Sequence, residues 1–372
     1  MEAGGISKPL RFPSRIVGPA MDLAARLGRL QLLVVTGKGG VGKTAAAASL
    51  GRLLAAAGRR VLVLEVDPRE NVHQMLAVSP SGGAIVRAGT RLWVQNLKPG
   101  QVLDDIVRER LKVEMLARRV LASPIYEQFS AGAPGLKELA ILGHALRLLR
   151  RVGPPDAPQL DLVVLDAPAT GHGVRLLAAP RLVSEVIGDG PFGALAGELA
   201  GFVADPERCG IVVVTQAEEM PVEEALELRE ALASQLGRQP ELLIVNGLFP
   251  PLPAGLERPE IFDPVDPLLP PAPPPASAEL PLEPELLTFW RHRRFLQERE
   301  LERLAHWWEG PRVELPLLAL ERGPALTEAL QQLLAAGLAS GAAGAAGAAR
   351  AAGSAGAAGT APGAGVAAAE HA

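Results

Sequence analysis

The segment Leu32-Leu-Val-Val-Thr-Gly-Lys-Gly-Gly-Val-Gly-Lys-Thr44 constrains this chain more than any other. A run of apolar and β-branched residues enters a turn holding Gly37, Gly39, Gly40 and Gly42, and an alanine-rich stretch of helical character follows. Strand, glycine turn and helix in that order match the pattern G-x-x-x-x-G-K-[ST] in the context that gives it meaning. Glycines let the backbone curl against a bound oxyanion and aim its N–H groups inward, at the positive end of the next helix. Gly37, Gly39, Gly40, Val41, Gly42, Lys43 and Thr44 are therefore the candidate ATP-binding residues, Lys43 as a charge for the β- and γ-phosphates and Thr44 as a hydroxyl ligand for Mg²⁺.

A turn of this kind belongs at one edge of a parallel sheet, and the rest of the chain reads accordingly. Short β-branched or leucine-rich runs at Leu32–Thr36, Val61–Val66, Leu92–Asn96, Leu162–Asp166, Ile211–Thr215, Leu242–Asn246 and Val313–Leu317 alternate with longer helical stretches. Runs such as LVVL and IVVV are apolar at every position, as strands covered by helices on both faces must be. Helices are expected at Lys43–Ala57, Val174–Ile187, Pro221–Leu236 and Ala325–Leu338, with Gly58 and Gly237 as C-terminal caps. The fold class is α/β: a doubly wound, mostly parallel sheet of the P-loop NTPase type.

Two regions interrupt the alternation. From about 99 to 152 the pattern is helical without a strand, with a second helix expected from Leu136 to Arg151, and reads as a helical insertion. From about 249 to 284 the prolines leave too few backbone donors for regular structure, so a loop is expected. The domain plan is an N-terminal extension over 1–29, one ATPase domain over 30–339 and an Ala/Gly tail over 340–372 that offers little to bury and is expected to be disordered. Trp290, Trp307 and Trp308 read as packing residues of C-terminal helices, and Arg291-His-Arg-Arg294 as a solvated helix face.

Composition excludes several classes. Lys+Arg 37 against Asp+Glu 41 gives a net charge of -4, without the basic excess of a nucleic-acid-binding domain. No stretch has the roughly 18 uninterrupted apolar residues of a membrane span, and prolines and glycines break up the first twenty residues before an export signal can develop. The only cysteine, Cys209, cannot form an internal disulfide, so a reducing cytoplasm is expected.

Further matches narrow the reading. Lys38 is a second lysine that an ordinary P-loop does not require, and KGGVGKT resembles the deviant Walker A class that includes the nitrogenase iron protein, MinD, ParA and the arsenite-pump ATPase ArsA. Glu65-Val-Asp-Pro-Arg-Glu-Asn71 and Leu165-Asp-Ala-Pro-Ala-Thr-Gly-His172 each place an aspartate after a strand, and they resemble switch I and switch II of the ArsA and tail-anchored-protein-targeting ATPases. Ile244-Val-Asn-Gly-Leu-Phe-Pro, Val313-Glu-Leu-Pro-Leu-Leu and Glu321-Arg-Gly-Pro-Ala-Leu resemble that family's adenine-side segment, final strand and turn. The resemblance covers roughly Leu32 to Leu338. It implies an Mg²⁺-dependent homodimeric ATPase in which Lys38 reaches the partner's nucleotide, Asp67 orients or activates the attacking water, Asp166 holds Mg²⁺ through water and Asn246 contacts adenine. It also implies a hydrophobic protein client or a membrane-protein partner.

This chain departs from the family at three points. Arg69 and Glu70 stand where switch I has a small residue and a histidine. Pro284-Glu-Leu-Leu-Thr occupies the region that often carries a zinc-binding C-x-x-C, so a zinc-bridged dimer is not expected. Cys209 before the IVVV strand reads as a buried small hydrophobe, which argues against arsenite as a ligand. The apolar stretch Ile187, Phe192, Leu195, Leu199, Phe202 leaves open a client groove, helix packing or a dimer contact. The alternatives for the whole chain are a ParA/MinD-type positioning ATPase and an adaptor that binds ATP without hydrolysing it.

Overall fold

The computed structural model describes residues 15–17, 23–66, 69–111, 113–123, 135–150, 158–168, 172–187, 191–251 and 284–338. The strands in chain order are β1 (Arg15–Val17), β2 (Leu32–Thr36), β3 (Val61–Glu65), β4 (Val86–Arg87), β5 (Leu92–Asn96), β6 (Leu162–Asp166), β7 (Cys209–Gln216), β8 (Leu242–Leu248) and β9 (Arg312–Pro316). The helices are α1 (Leu23–Arg29), α2 (Lys43–Ala56), α3 (Asn71–Leu76), α4 (Pro99–Leu111), α5 (Glu114–Leu121), α6 (Leu136–Leu149), α7 (His172–Ile187), α8 (Pro191–Ala204), α9 (Glu219–Leu236), α10 (Pro284–Trp307) and α11 (324–338). Each strand expected from the sequence is present, with its ends within two residues of expectation.

One sheet runs β1-β9-β8-β7-β2-β6-β3-β5-β4. All neighbours from β9 to β5 are parallel, and short antiparallel strands close both edges. Edges of three and two residues present little unpaired backbone to another chain. Two-sided burial explains the uninterrupted apolar strands. Leu32 and Val34 of β2 pack in one core with α4, α6, α7, α8 and α9, whereas Leu33 and Val35 face the other with α1, α2, α3 and α11. The helical insertion thus supplies part of one covering layer, through Val102, Leu103 and the α6 stripe Leu139, Leu142, Leu146.

Within the expected N-terminal extension, Leu23 and Leu27 of α1 are buried in the second core and β1 pairs with β9, two elements that the sequence reading did not name. A three-residue strand and a seven-residue helix are too short to generate readable periodicity. α10 begins where the proline-rich loop was expected to end and is 24 residues long, in keeping with the expected C-terminal helices. Its basic run is not simply solvated: Arg293 pairs with Glu218 at 2.6 Å and Arg294 donates to the Phe249 carbonyl at 2.8 Å. Trp308 is buried as expected, whereas Trp307 is exposed. The expected tail lies outside the described residues, as do 252–283 of the proline-rich loop.

The stretch left open between groove, packing and dimer contact is partly resolved. Leu195, Leu199 and Phe202 of α8 are buried in the core, with Phe202 under the Arg208 guanidinium at 4.4 Å. Helix packing therefore accounts for these three, and the side chains of Ile187 and Phe192 lie outside the described residues.

Candidate nucleotide-binding site

The sheet order places the candidate site at the C-terminal ends of its central strands. β2 lies between β6 and β7, Val35 is in register with Asp166, and Asp166 is in register with Glu65 of β3. Parallel strands deliver the loops that follow them to one edge, so the glycine turn after β2, Asp166 ending β6, the segment after β3 and Asn246 of β8 converge. They line a cleft of about 480 Å³ that includes Gly40, Gly42, Lys43, Thr44, Asp166 and Asn246.

The turn is held tightly from both sides. Gly37 has φ +145°, and a Cβ there would sit 2.1 Å from the Val214 carbonyl oxygen of β7. Gly42, at φ +97°, caps α2, and a Cβ on it would meet the Asn246 side-chain nitrogen at 2.3 Å. Asn246 uses that space to donate from Nδ2 to the Val41 carbonyl at 3.0 Å, which ties β8 to the turn. Lys43 is buried, and its Nζ donates to the Lys38 carbonyl at 2.7 Å, spanning the turn from within. Burial pushes the Lys43 ammonium below the usual lysine pKa, opposed by the negative charges of Asp166 and Glu224. A bound phosphate would add to that opposition.

Thr44 Oγ1 donates to Asp166 Oδ2 at 2.7 Å. A hydroxyl and a carboxylate in contact at the N-terminus of α2 form a hard oxygen donor set of the kind Mg²⁺ accepts alongside water and phosphate. Lys38 points elsewhere: its ammonium pairs with Glu224 of α9 at 2.8 Å, with both side chains partly exposed. Asp67 lies outside the described residues, and so does the side chain of His172.

Glu65 is a site residue that sequence reasoning passed over. Its carboxylate is fully buried and accepts the backbone N–H groups of Asn71 at 2.7 Å and Val72 at 3.1 Å, capping α3 from the end of β3. This bond pair ties the start of α3 to the end of β3. No sequence signal marked it, because a cap is read at the residue directly before a helix, here Glu70, and Glu65 lies further upstream. Glu70 is in the left-handed region at φ 50°, accepts the Ser81 N–H at 2.9 Å and lies 3.7 Å from His73, and Arg69 lines the cleft. The two departures in switch I therefore differ in placement: Glu70 braces the segment, and Arg69 adds a cation to the site.

Glu65→Ala is expected to cost about 2–6 kcal/mol of stability, since it leaves one buried and one partly buried donor without their acceptor at about 1–3 kcal/mol each. Glu65→Gln keeps one acceptor oxygen and should lose less than half as much. Denaturant midpoints of the three proteins check this. Equal stabilities would mean that α3 finds its cap elsewhere.

Comparison with known proteins agrees with this geometry. Residues 30–189 match the family model described as anion-transporting ATPase. The chain is 31% identical to the ATPase BagA of Mycobacterium tuberculosis over 226 residues, covering 58% of this chain and 65% of that protein. It is 30% identical to an arsenical pump-driving ATPase of Acidiphilium multivorum over 245 residues, 59% of this chain and 39% of that protein. Against the ATPase asna-1 of Caenorhabditis elegans the figures are 27% over 191 residues, 46% of this chain and 53% of that protein. The matched part thus spans no more than 65% of any of these relatives. With the turn, the paired Thr44 and Asp166 and the parallel sheet order, these matches make residues 30–189 similar to the anion-transporting ATPases.

Proposed function

We propose that this protein binds ATP with Mg²⁺ and hydrolyses it to ADP and phosphate, as a cytoplasmic homodimer whose nucleotide cycle drives the binding or movement of a partner. The observation that carries the reading is the 2.7 Å contact between Thr44 and Asp166 beside the buried Lys43, inside the cleft closed by the glycine turn. Bound Mg²⁺ supplies charge neutralisation on the β- and γ-phosphate oxygens. The chain's own groups do the rest. Backbone N–H groups of the turn and the α2 N-terminus hold the phosphates, and Lys43 exchanges the Lys38 carbonyl for phosphate oxygen. Thr44 and Asp166 hold the metal and its water shell, and Asn246 orients the base. Asp67 holds the attacking water and takes its proton, a role that rests on the switch I resemblance. Lys38 leaves Glu224 and completes the partner's site.

A hydrophobic partner is supported by apolar side chains left in solvent, Met115 and Leu116 on α5 and Leu182 and Val186 on α7. Among the described residues no helix is long and apolar enough to cross a membrane. Arsenic chemistry is not part of the proposal. Cys209 is fully buried in β7, and burial pushes its thiol up to about 12, so no thiolate is offered to a soft ion.

The test is phosphate release from ATP with Mg²⁺ and with EDTA. Turnover is expected with Mg²⁺ and loss of it with EDTA. Tight ATP binding without turnover in either condition would favour the non-hydrolysing adaptor, and pelleting with DNA or lipid vesicles would favour the positioning ATPase.

A further inference from the structure

α10 meets the site through one stripe of its surface. Trp290, Arg294 and Gln297 follow one another at spacings of four and three and so lie on one face. Trp290 Nε1 donates to the Pro250 carbonyl at 2.9 Å, and Arg294 donates to the Phe249 carbonyl at 2.8 Å. Gln297 is 3% exposed and makes two bonds of opposite sense, donating from Nε2 to the Gly247 carbonyl at 3.1 Å and accepting the Phe249 N–H at 2.8 Å. A side-chain amide that donates and accepts to one segment does what the peptide group of a neighbouring strand would do.

The place where this happens explains why it is needed. The β8–β9 ladder loses register between Val245 and Leu248, and Gly247 sits at φ +75° in that irregularity. A bulge bends its strand and re-aims the side chains beside it, at the cost of regular ladder bonds. Asn246 and Gly247 are the bulge residues that line the cleft, and Asn246 also reaches the glycine turn.

We infer that Gln297 is a positioning residue for the nucleoside side of the site: its amide holds the bulge at Gly247 in the one shape that directs Asn246 into the cleft, without touching the ligand. The inference rests on the reading of Asn246 as the base contact. It predicts a selective defect. Losing the clamp misplaces the base contact while leaving the phosphate turn intact.

The experiment compares Gln297→Leu, Gln297→Glu and Asn246→Ala for binding of ATP and of inorganic tripolyphosphate, each with Mg²⁺, alongside amide hydrogen exchange at Phe249. Gln297→Leu removes both bonds and should weaken ATP roughly tenfold, equivalent to about 1.4 kcal/mol, with tripolyphosphate unchanged and Phe249 exchange accelerated. Gln297→Glu keeps the acceptor for Phe249 and should show the same selective loss at smaller size, which keeps the test available if the leucine variant does not fold. An equal loss for both ligands would mark Gln297 as a general packing residue, and no loss for either would remove it from the site. If Asn246→Ala loses ATP selectively and both Gln297 variants do not, the positioning role alone falls. If Asn246→Ala binds both ligands normally, the base-contact reading falls and takes the positioning role with it.

Discussion

Asp166→Asn is expected to slow Mg²⁺-dependent phosphate release by at least about a hundredfold while ATP still binds. The substitution is chosen because it separates charge from shape. Asparagine keeps an oxygen able to accept the Thr44 hydroxyl, now bonded to Asp166 at 2.7 Å, so the N-terminus of α2 and the β6 end should stay in place. What disappears is the negative charge that would hold the metal's water shell and that opposes the depression of the Lys43 pKa. The Mg²⁺ concentration for half-maximal rate should therefore rise along with the fall in turnover. Thr44→Ala should raise the same Mg²⁺ requirement, and combining the two should cost less than the sum, because residues serving one ion are not independent. Initial rates over a Mg²⁺ titration, with nucleotide binding measured separately, check both statements. A rate within twofold of wild type would mean that Asp166 only orients Thr44.

Much of this site was legible in the sequence because its parts are local. The glycine turn needs its residues in one contiguous order, and a strand apolar on both faces announces its own burial, so Lys43, Thr44 and the β6 terminus at Asp166 could be placed before any coordinates. Asn246 was reached only through resemblance, and its contact with Val41 joins segments that no local pattern connects. Glu65, Glu224 and Gln297 were passed over for that same reason. Each is one polar residue among many in a strand or helix, and its partner lies on an element that only the tertiary fold brings near. The apolar stretch ending at Phe202 shows the converse limit. Hydrophobicity along a helix is the same for a groove and a core, and only the covering layer, present here on Leu195, Leu199 and Phe202, decides between them. The short elements β1 and α1 escaped because few residues carry no period.

Lys38→Ala is expected to bind ATP with near-normal affinity and to hydrolyse it about a thousandfold more slowly, the smaller end of what a cation supplied in trans contributes to phosphoryl transfer. Lys38 does not face its own cleft. Its ammonium rests on Glu224 at 2.8 Å, on the α9 side of the turn, while its carbonyl holds Lys43 from inside. The pair is partly exposed and worth little energetically, so it can be exchanged for a partner's phosphates at small cost. If that exchange happens only across a dimer, the defect should be absent from ATP affinity in the monomer and present in dimer tightening with a non-hydrolysable analogue. Mixed dimers sharpen the result. A Lys43→Ala protomer retains Lys38 and can donate it to a Lys38→Ala protomer whose own Lys43 is intact, so one site of the pair is complete and activity should return toward half of wild type. Glu224→Gln should leave that complementation in place, since it removes only the resting partner of Lys38. Mixed dimers demonstrated by differential tagging but as inactive as their parents would show that Lys38 acts within its own chain, and Glu224 would then be a fixed structural counter-ion.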